Sequence, residues 1–298
     1  MTGLVVQMVK LFLGWVAVVA GVTHGLHLAT GRPWVQGLGA GLLAGSLAWI
    51  AGACLRVAIR SLRERAAIRR GASELPTRDG PTVLIGRIDT GRPLVAPLDG
   101  RDCVAYTYEV TRDVKSGRSW TRFVLYKGVG QAPSQIVTGA GTLRLLAVPT
   151  IEGADVADAP REETLRRFER YLGETSFTKR IAGAAGSGVA ELEARWSDSD
   201  GDYRSDISDA SGSPAELDGC RFEQRTVPRG AHVCIFGHYS AAQRGIIPDP
   251  NWARTTRLLI GDPAEAGAKL ASRARMQLVL ATVFALAATG ILGAWASP

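Results

Sequence analysis

The side chains of this chain that could do chemistry are few, and the most suggestive lie in one apolar run, His232-Val233-Cys234-Ile235-Phe236-Gly237-His238-Tyr239. Side chains of a strand repeat every second residue, so His232, Cys234, Phe236 and His238 share a face on which two imidazoles and a thiol could hold a metal or do thiol chemistry. A tetrahedral zinc site takes four ligands and no fourth can be identified, so the run reads as an ordinary strand with its more apolar face, Val233, Ile235, Gly237 and Tyr239, on a core. Asp198, Asp200 and Asp202, with Asp209 further on, follow the spacing of a calcium loop. Tyr203 stands where that loop needs a glycine for its sharp turn, and the last ligand should be Glu, so a solvated acidic loop is expected. His24 and His27 lie three apart in an apolar segment, and the other two apolar segments offer no histidine partner for a haem or metal. Cys54, Cys103, Cys220 and Cys234 form no CxxC and are expected as reduced, mostly buried thiols. No Ser/His/Asp arrangement, phosphate-cradling glycine loop or acid–base carboxylate pair can be placed. Neither a catalytic residue nor a metal or cofactor is expected.

What remains is a constellation suited to recognition. In GRIDTGRPLVAPLDGRDCVAYTYEV, from Gly86 to Val110, two strand-like runs flank a loop punctuated by Pro93, Pro97 and the Asp99-Gly100 turn. After it, Val104, Tyr106, Tyr108 and Val110 alternate with Cys103, Ala105, Thr107 and Glu109, a period of two that predicts a half-buried strand in a hairpin. The prolines restrict the chain, Asp99-Gly100 makes the turn and Tyr106 anchors the strand. The loop would therefore present a fixed shape, with Arg92, Pro93, Pro97, Asp99, Gly100 and Arg101 as candidate contact residues. Closing a hairpin by packing alone is the alternative, and the sequence leaves both open.

The wording PLVAPLDGRDCVAY, with a glycine and an aliphatic strand just upstream, resembles the signature of the GIDE family, whose domain is also called "beside a membrane". A second motif agrees: Glu223, Val227, Gly230 and Gly237 stand in the family's order, with Val233 and Ile235 in the strand between. The resemblance covers Thr82 to Asp262 and the membrane flanks. It implies a membrane-bound β-rich domain; eukaryotic relatives are E3 ubiquitin ligases with a C-terminal RING, and prokaryotic relatives resemble the domain without it. A RING needs eight closely paired Cys/His ligands for two zinc ions. The part outside the apolar segments has only Cys103, Cys220, Cys234, His232 and His238, so the chain fits the prokaryotic type. A non-enzymatic binding or scaffold module is expected, with a ubiquitin-transferase-like activity, implied by the resemblance alone, as the alternative.

The elements that would carry this domain are membrane helices. Leu11–Ala29, Trp34–Leu55 and Met276–Ala296 are each near the roughly 20 residues that cross a bilayer, and none contains Asp, Glu, Lys or Arg. Before Leu11 only Lys10 is charged and no small-x-small site precedes Arg32, so the first segment is expected to be a helix and not a cleaved leader. The formal charge of +7 is concentrated at the borders: residues 80–262 hold 23 Lys/Arg and 24 Asp/Glu, and the other 12 basic residues face only 4 acidic ones. A nucleic-acid partner is not expected. Arg56, Arg60, Arg63, Arg65, Arg69 and Arg70 follow the second segment, and Lys269, Arg273 and Arg275 precede the third. The positive-inside rule then puts the domain and the N-terminus in the cytoplasm and the C-terminus outside, in a multi-pass protein of the cell (inner) membrane. The arginines would meet anionic headgroups beside a stalk in which Leu55, Ile59, Leu62 and Ala66 share one side. Small residues recur four apart, Ala17, Gly21 and Gly25 on the first helix and Gly37, Gly41 and Gly45 on the second. Such ridges fit a self-packed hairpin of helices or a homo-oligomer.

The expected fold is thus three transmembrane α-helices plus one soluble β-rich domain, α+β and mostly antiparallel, with one amphipathic helix. The divisions are 1–33 (first helix and outer loop), 34–55 (second helix), 56–79 (stalk and linker), 80–262 (domain), 263–275 (connecting helix) and 276–298 (third helix). Within the domain, strands are expected at Thr82–Ile88, Cys103–Val114, Phe123–Tyr126, Gln135–Thr138, Thr142–Val148, Ala190–Trp196, on both sides of Val227-Pro228-Arg229-Gly230, and at Arg257–Ile260. Leu165, Phe168 and Leu172 recur at helical spacing between Pro160 and Gly173, which predicts the amphipathic helix. Ser197–Gly219, rich in Ser, Asp and Gly, is expected to be a mobile loop.

Overall fold

The computed structural model describes residues 2–31, 33–69, 75–117, 119–153, 161–179, 202–208, 217–248 and 255–296. The chain forms two compact units, residues 1–69 with 267–298, and residues 70–266. Among the described residues, three helices are long and apolar enough to cross a membrane.

In the first unit, α1 (Thr2–Thr30) packs against α2 (Trp34–Arg69). The close approach comes from glycine: a Cβ on Gly45 would lie 2.8 Å from Val19 Cα, one on Gly14 would lie 2.7 Å from the Trp49 ring, and one on Gly41 would collide with Thr23. Trp15 Nε1 donates to Ser46 Oγ at 3.1 Å, so the indole nitrogen is satisfied inside the helix pair. Gly21 and Gly25 meet nothing within 4 Å. Gly41 and Gly45 of the α2 ridge therefore make this contact, and Gly21 and Gly25 of α1 do not. The stalk continues α2 without a break, and the side chains it buries are Ala58, Ser61 and Ile68, while Leu55, Ile59 and Leu62 are exposed. Helix α4 (Pro263–Ala296) likewise runs through the predicted connecting segment without interruption.

The second unit is β-rich and holds two sheets and a small ribbon. In the first, β1 (Gly80–Thr90) pairs antiparallel with β12 (His232–Ser240) on one side and with β6 (Ser134–Thr138) on the other. β6 pairs with β7 (Gly141–Leu145), β7 with β13 (Gly245–Ile247), and β13 with β12, which closes a small barrel. β14 (Arg257–Ile260) and then β8 (Thr150–Glu152) extend the sheet outward from β12. The barrel interior is mainly aliphatic: Leu84, Ile88, Ile136, Leu145, Val233, Ile235, Ile246 and Leu258 are all buried. Gly86 is a requirement of that closure, because a Cβ there would run into the carbonyl of Val137 on β6.

The second sheet has the order β11 (Arg221–Val227), β4 (Ala105–Ser116), β5 (Ser119–Gln131), β10 (Tyr203–Ser208), β9 (Thr178–Lys179). Helix α3 (Arg161–Glu174) contributes Phe168, with Leu165, Tyr171 and Leu172, to a core shared with Tyr106, Tyr108, Val110 and Tyr126 of the sheet. The predicted helix is therefore present. It passes through Gly173 and ends at Glu174, the glycine being tolerated on its exposed side.

Three expectations are corrected here. β1 and β4 do not form a hairpin with each other; they belong to different sheets, and the Gly91–Val104 segment carries the chain across. The hairpin that exists is the ribbon of β2 (Leu94–Val95) and β3 (Asp102–Cys103) inside that segment. Second, Val104 does not share the core of Tyr106, Tyr108 and Val110: it enters the barrel core with Ala105, its N–H donating to Val227 and its carbonyl accepting from Ala132, each at 2.8 Å. Third, Tyr203–Ser208 within the expected acidic loop is a strand hydrogen-bonded to Tyr126–Gln131. The side chains it buries are Asp206 and Ser208, so no apolar alternation marks it. The expected strand Ala190–Trp196, Pro160, Arg70, Asp198, Asp200 and Asp209 lie outside the described residues.

Candidate functional site

The two family-like motifs, more than a hundred residues apart in sequence, meet at one corner of the domain. Gln224 of β11 reaches the predicted loop, its Oε1 accepting the N–H of Leu98 at 2.8 Å. Ile88 and the turn after β11 exchange two backbone bonds, Ile88 N to Ala231 O at 3.0 Å and Gly230 N to Ile88 O at 2.8 Å. Gly230 adopts φ +76°, a conformation that favours glycine. Arg229 Nε donates to Asp89 Oδ1 at 2.6 Å and holds that carboxyl below the ordinary carboxylate value. The second motif is thus a clamp on both ends of the first.

Inside the clamp the loop is mostly core. Leu94, Ala96, Pro97, Leu98 and Asp99 are buried, whereas Arg92, Pro93, Val95, Gly100 and Arg101 are exposed. Gly100 takes φ +69° and donates to the Ala96 carbonyl at 3.0 Å, and Ala96 donates to the Arg101 carbonyl at 3.0 Å. Asp99 Oδ1 accepts from the Arg101 N–H at 3.1 Å, an Asx turn that fixes the predicted Asp-Gly corner. Arg167 of α3 donates to the Asp99 carbonyl, so the amphipathic helix holds the loop from the other side. Of the six candidate contact residues, Arg92, Pro93, Gly100 and Arg101 face outward and Pro97 and Asp99 face the interior.

Beneath loop and helix lies a polar network. Asp206 Oδ1 accepts from Tyr108 Oη at 2.6 Å and from Tyr171 Oη at 2.9 Å, and the Tyr171 and Tyr106 hydroxyls are 3.2 Å apart. Burial raises the Asp206 carboxyl above its ordinary pKa despite both tyrosine donors, and burial likewise pushes the Tyr106 phenol up to about 12. Gly128 and Gly130 lie opposite Tyr108 and Tyr106 on the neighbouring strand, and a Cβ on either would overlap the facing ring. The two rings therefore lie across β5 where side chains would otherwise stand. A carboxylate enclosed in this way ties α3 and β10 to the sheet. The only hint of it in the sequence is the Gly-x-Gly alternation of Lys127–Gln131, opposite two tyrosines.

The other face of the same sheet borders a cleft of about 270 Å³. Thr107, Glu109, Lys127 and Arg225 line it from the sheet, and Val148, Pro149, Thr150 and Ile151 close it. Lys127 Nζ lies 3.9 Å from Glu109 Oε2, and Arg225 Nη1 donates to the Ile151 carbonyl at 3.4 Å. The cleft's lining combines the apolar Val129, Val148 and Ile151 with the mixed charges of Glu109, Lys127, Glu223 and Arg225.

The remaining predicted groups do not converge. Cys234 is buried and its thiol is pushed up to about 11 by burial, His232 Nε2 accepts from Arg87 Nε at 3.1 Å, and Val233, Ile235 and Tyr239 face the barrel core as expected. Burial also pushes Cys103 up to about 12, and all four cysteines are free thiols. Among the described residues no three His, Cys, Asp or Glu side chains gather where a metal could sit. Asp202 is exposed and leads directly into β10, whose extended backbone is not that of a calcium loop. On α2, Arg56, Arg60, Arg63 and Arg69 are exposed, and Arg60 pairs with Glu64 at 2.8 Å. Compared with protein-family models, with curated proteins and with solved structures, the chain matches none.

Proposed function

We infer that this protein is a membrane-anchored binding or scaffold module of the GIDE type, with its β-rich domain on the cytoplasmic side of the cell membrane. The observation that carries the reading is the corner where the two motifs meet. A loop pinned by Gln224, Arg167 and the Gly230 turn is rigid enough to act as a recognition element, and it turns Arg92, Pro93 and Arg101 outward. Preorganised loops bind with little ordering cost, which is why a clamped surface loop is a better recognition element than a loose one. Lipid headgroups beside Arg56–Arg70 and an as yet unnamed protein are the partners the reading implies.

The test is co-purification of the full chain in detergent, comparing wild type with Arg92→Glu/Arg101→Gln and with Gly100→Val. The reading expects one protein to be recovered stoichiometrically with wild type and lost with the double arginine variant, whose fold should be intact. If the double variant keeps that protein while Gly100→Val unfolds the domain, the loop serves packing only. Robust ubiquitin transfer by the purified chain, given activating and conjugating enzymes, would replace the scaffold reading with an enzymatic one.

A further inference from the structure

The β4–β5 hairpin is longer than the sheet it belongs to. β11 accompanies β4 only as far as Thr111 and β10 accompanies β5 only from Tyr126, so Arg112 to Val124 form a two-stranded finger that, among the described residues, has no strand on either edge. Its five cross-strand pairs beyond that point, from Arg112↔Phe123 to Ser116↔Ser119, project roughly 16 Å at the usual strand rise. The tip turns at Gly117, with φ +62°. A register shift at Val110/Thr111 marks where the ribbon leaves the sheet, and bulges of this kind bend and redirect a strand.

The finger carries an unusual set of side chains for a solvent-facing ribbon. Trp120 is 68% exposed, Phe123 50% and Val114 41%. Trp120 stands opposite Lys115, and Phe123 opposite Arg112. Arg122 and Asp113 pair at 2.9 Å and neutralise one another, which leaves Lys115 and Arg112, among the described residues of the finger, as the cations beside the rings. Cross-strand partners lie within about 5 Å, so each aromatic ring has a basic group alongside. Aromatic rings with adjacent cations match the membrane–water interface, where the ring sits at the headgroup level and the cation meets lipid phosphate.

We propose that this finger docks tip-first on an anionic bilayer surface, with Trp120 and Lys115 on one face of the ribbon and Phe123 and Arg112 on the other, the rings entering the headgroup region and the cations on lipid phosphates. The inference rests on the reading of the chain as a membrane protein. In that reading a bilayer is always near: only Gly261 and Asp262 separate strand β14 from the membrane-length helix α4. That junction is capped, Asp262 Oδ1 accepting from the Glu265 N–H at 2.7 Å. The domain is thus joined to that helix without a long linker, and a finger of this chemistry would give it a second attachment to the bilayer.

The full chain reconstituted into nanodiscs provides the test, using lipids brominated near the headgroup to quench tryptophan, with the wild-type minus Trp120→Phe difference isolating Trp120. In nanodiscs containing phosphatidylserine, Trp120 is expected to be quenched together with the helix tryptophans. Arg112→Gln/Lys115→Gln is expected to lower the docked-to-free ratio about fivefold per cation removed, and raised salt should do the same in wild type. Unchanged near-UV dichroism confirms that the variants fold. Quenched helix tryptophans with an unquenched Trp120 overturn the finger and leave the anchor standing, and that result would hand the finger to a soluble partner. No quenching of any tryptophan overturns both. Quenching of Trp120 that the cation variant and salt leave unchanged overturns the proposed role of the lipid phosphates.

Discussion

The barrel and the half-domain beside it are filled by different means. The barrel core is mainly aliphatic, Leu, Ile and Val around Ile88 and Ile235, and its strands hold one another by closing on themselves. The core under α3 is aromatic and partly polar: Phe168 packs edge-on against Tyr108, Tyr126 and Phe222 with ring centres 5.5 to 5.8 Å apart, and Asp206 collects two tyrosine hydroxyls beside it. An aliphatic ring of strands is stabilised by burial that is roughly indifferent to orientation. An aromatic and polar core depends on angles and hydrogen bonds, so it specifies where one helix and one loop must sit. The candidate recognition loop is attached to the second kind of core.

The largest test of that contrast compares Phe168→Ala with Ile235→Ala. Each removes a fully buried side chain and should cost about 3–5 and 2–5 kcal/mol respectively. Hydrogen exchange separates them: Phe168→Ala should expose α3 and the loop while β12 amides stay protected, and Ile235→Ala should open β12. Equal exchange of β12 in both variants would mean that the two cores unfold as one. Next in size is Gly128→Ala, whose new methyl group would meet the Tyr108 ring and Asp206; overpacking of this kind costs about 1–3 kcal/mol, read as a lower thermal midpoint. The same substitution at Gly91, which has open space around it, should change the midpoint far less.

Asp206→Asn sharpens the comparison through pH. The folded state raises the Asp206 pKa, so it holds the proton more tightly than the unfolded chain does. The carboxyl's contribution is then greatest below the unfolded value near pH 4 and is lost as pH rises through the folded value. Wild type should lose stability relative to Asp206→Asn as pH is raised from about 4 towards neutrality, measured by chemical denaturation at each pH. A difference that grows in the opposite direction would show that the tyrosine donors outweigh burial. The smallest effect belongs to Arg92→Ala/Arg101→Ala, two exposed side chains whose loss should shift stability by less than about 0.5 kcal/mol.

The barrel side was the more legible in the sequence because its strands alternate apolar and small residues: Thr82–Ile88, Gln135–Thr138 and the His232–Tyr239 run stand where β1, β6 and β12 lie. Leu165, Phe168 and Leu172 gave α3 by the same logic. β10 was hidden because the side chains it buries are a carboxylate and a hydroxyl, and the carboxylate's burial is supported by tyrosines on other elements. The partners of β1 and β4 were hidden for another reason. Period-two alternation identifies a strand but not its neighbour, and Asp99-Gly100 makes a turn whichever sheets its flanks join. At the candidate loop the turn chemistry was readable from Pro93 to Arg101, while the clamps from Gln224, Arg167 and Ile88 are long-range contacts with no local signature.

The closure of β1 onto β12 also sets a timetable. Arg87 and His232 are neighbours in the barrel but 145 residues apart in the chain, so the ring cannot close until its last-made strands have been synthesised. At typical elongation speeds that delay is roughly seven to thirty seconds. The β4–β5 hairpin, joined by a tight turn, forms within microseconds of its own synthesis. Until the ring closes, the first strand has only β6 to pair with, along Arg87–Thr90, and Gly80–Gly86 is the segment that a chaperone would have most reason to cover.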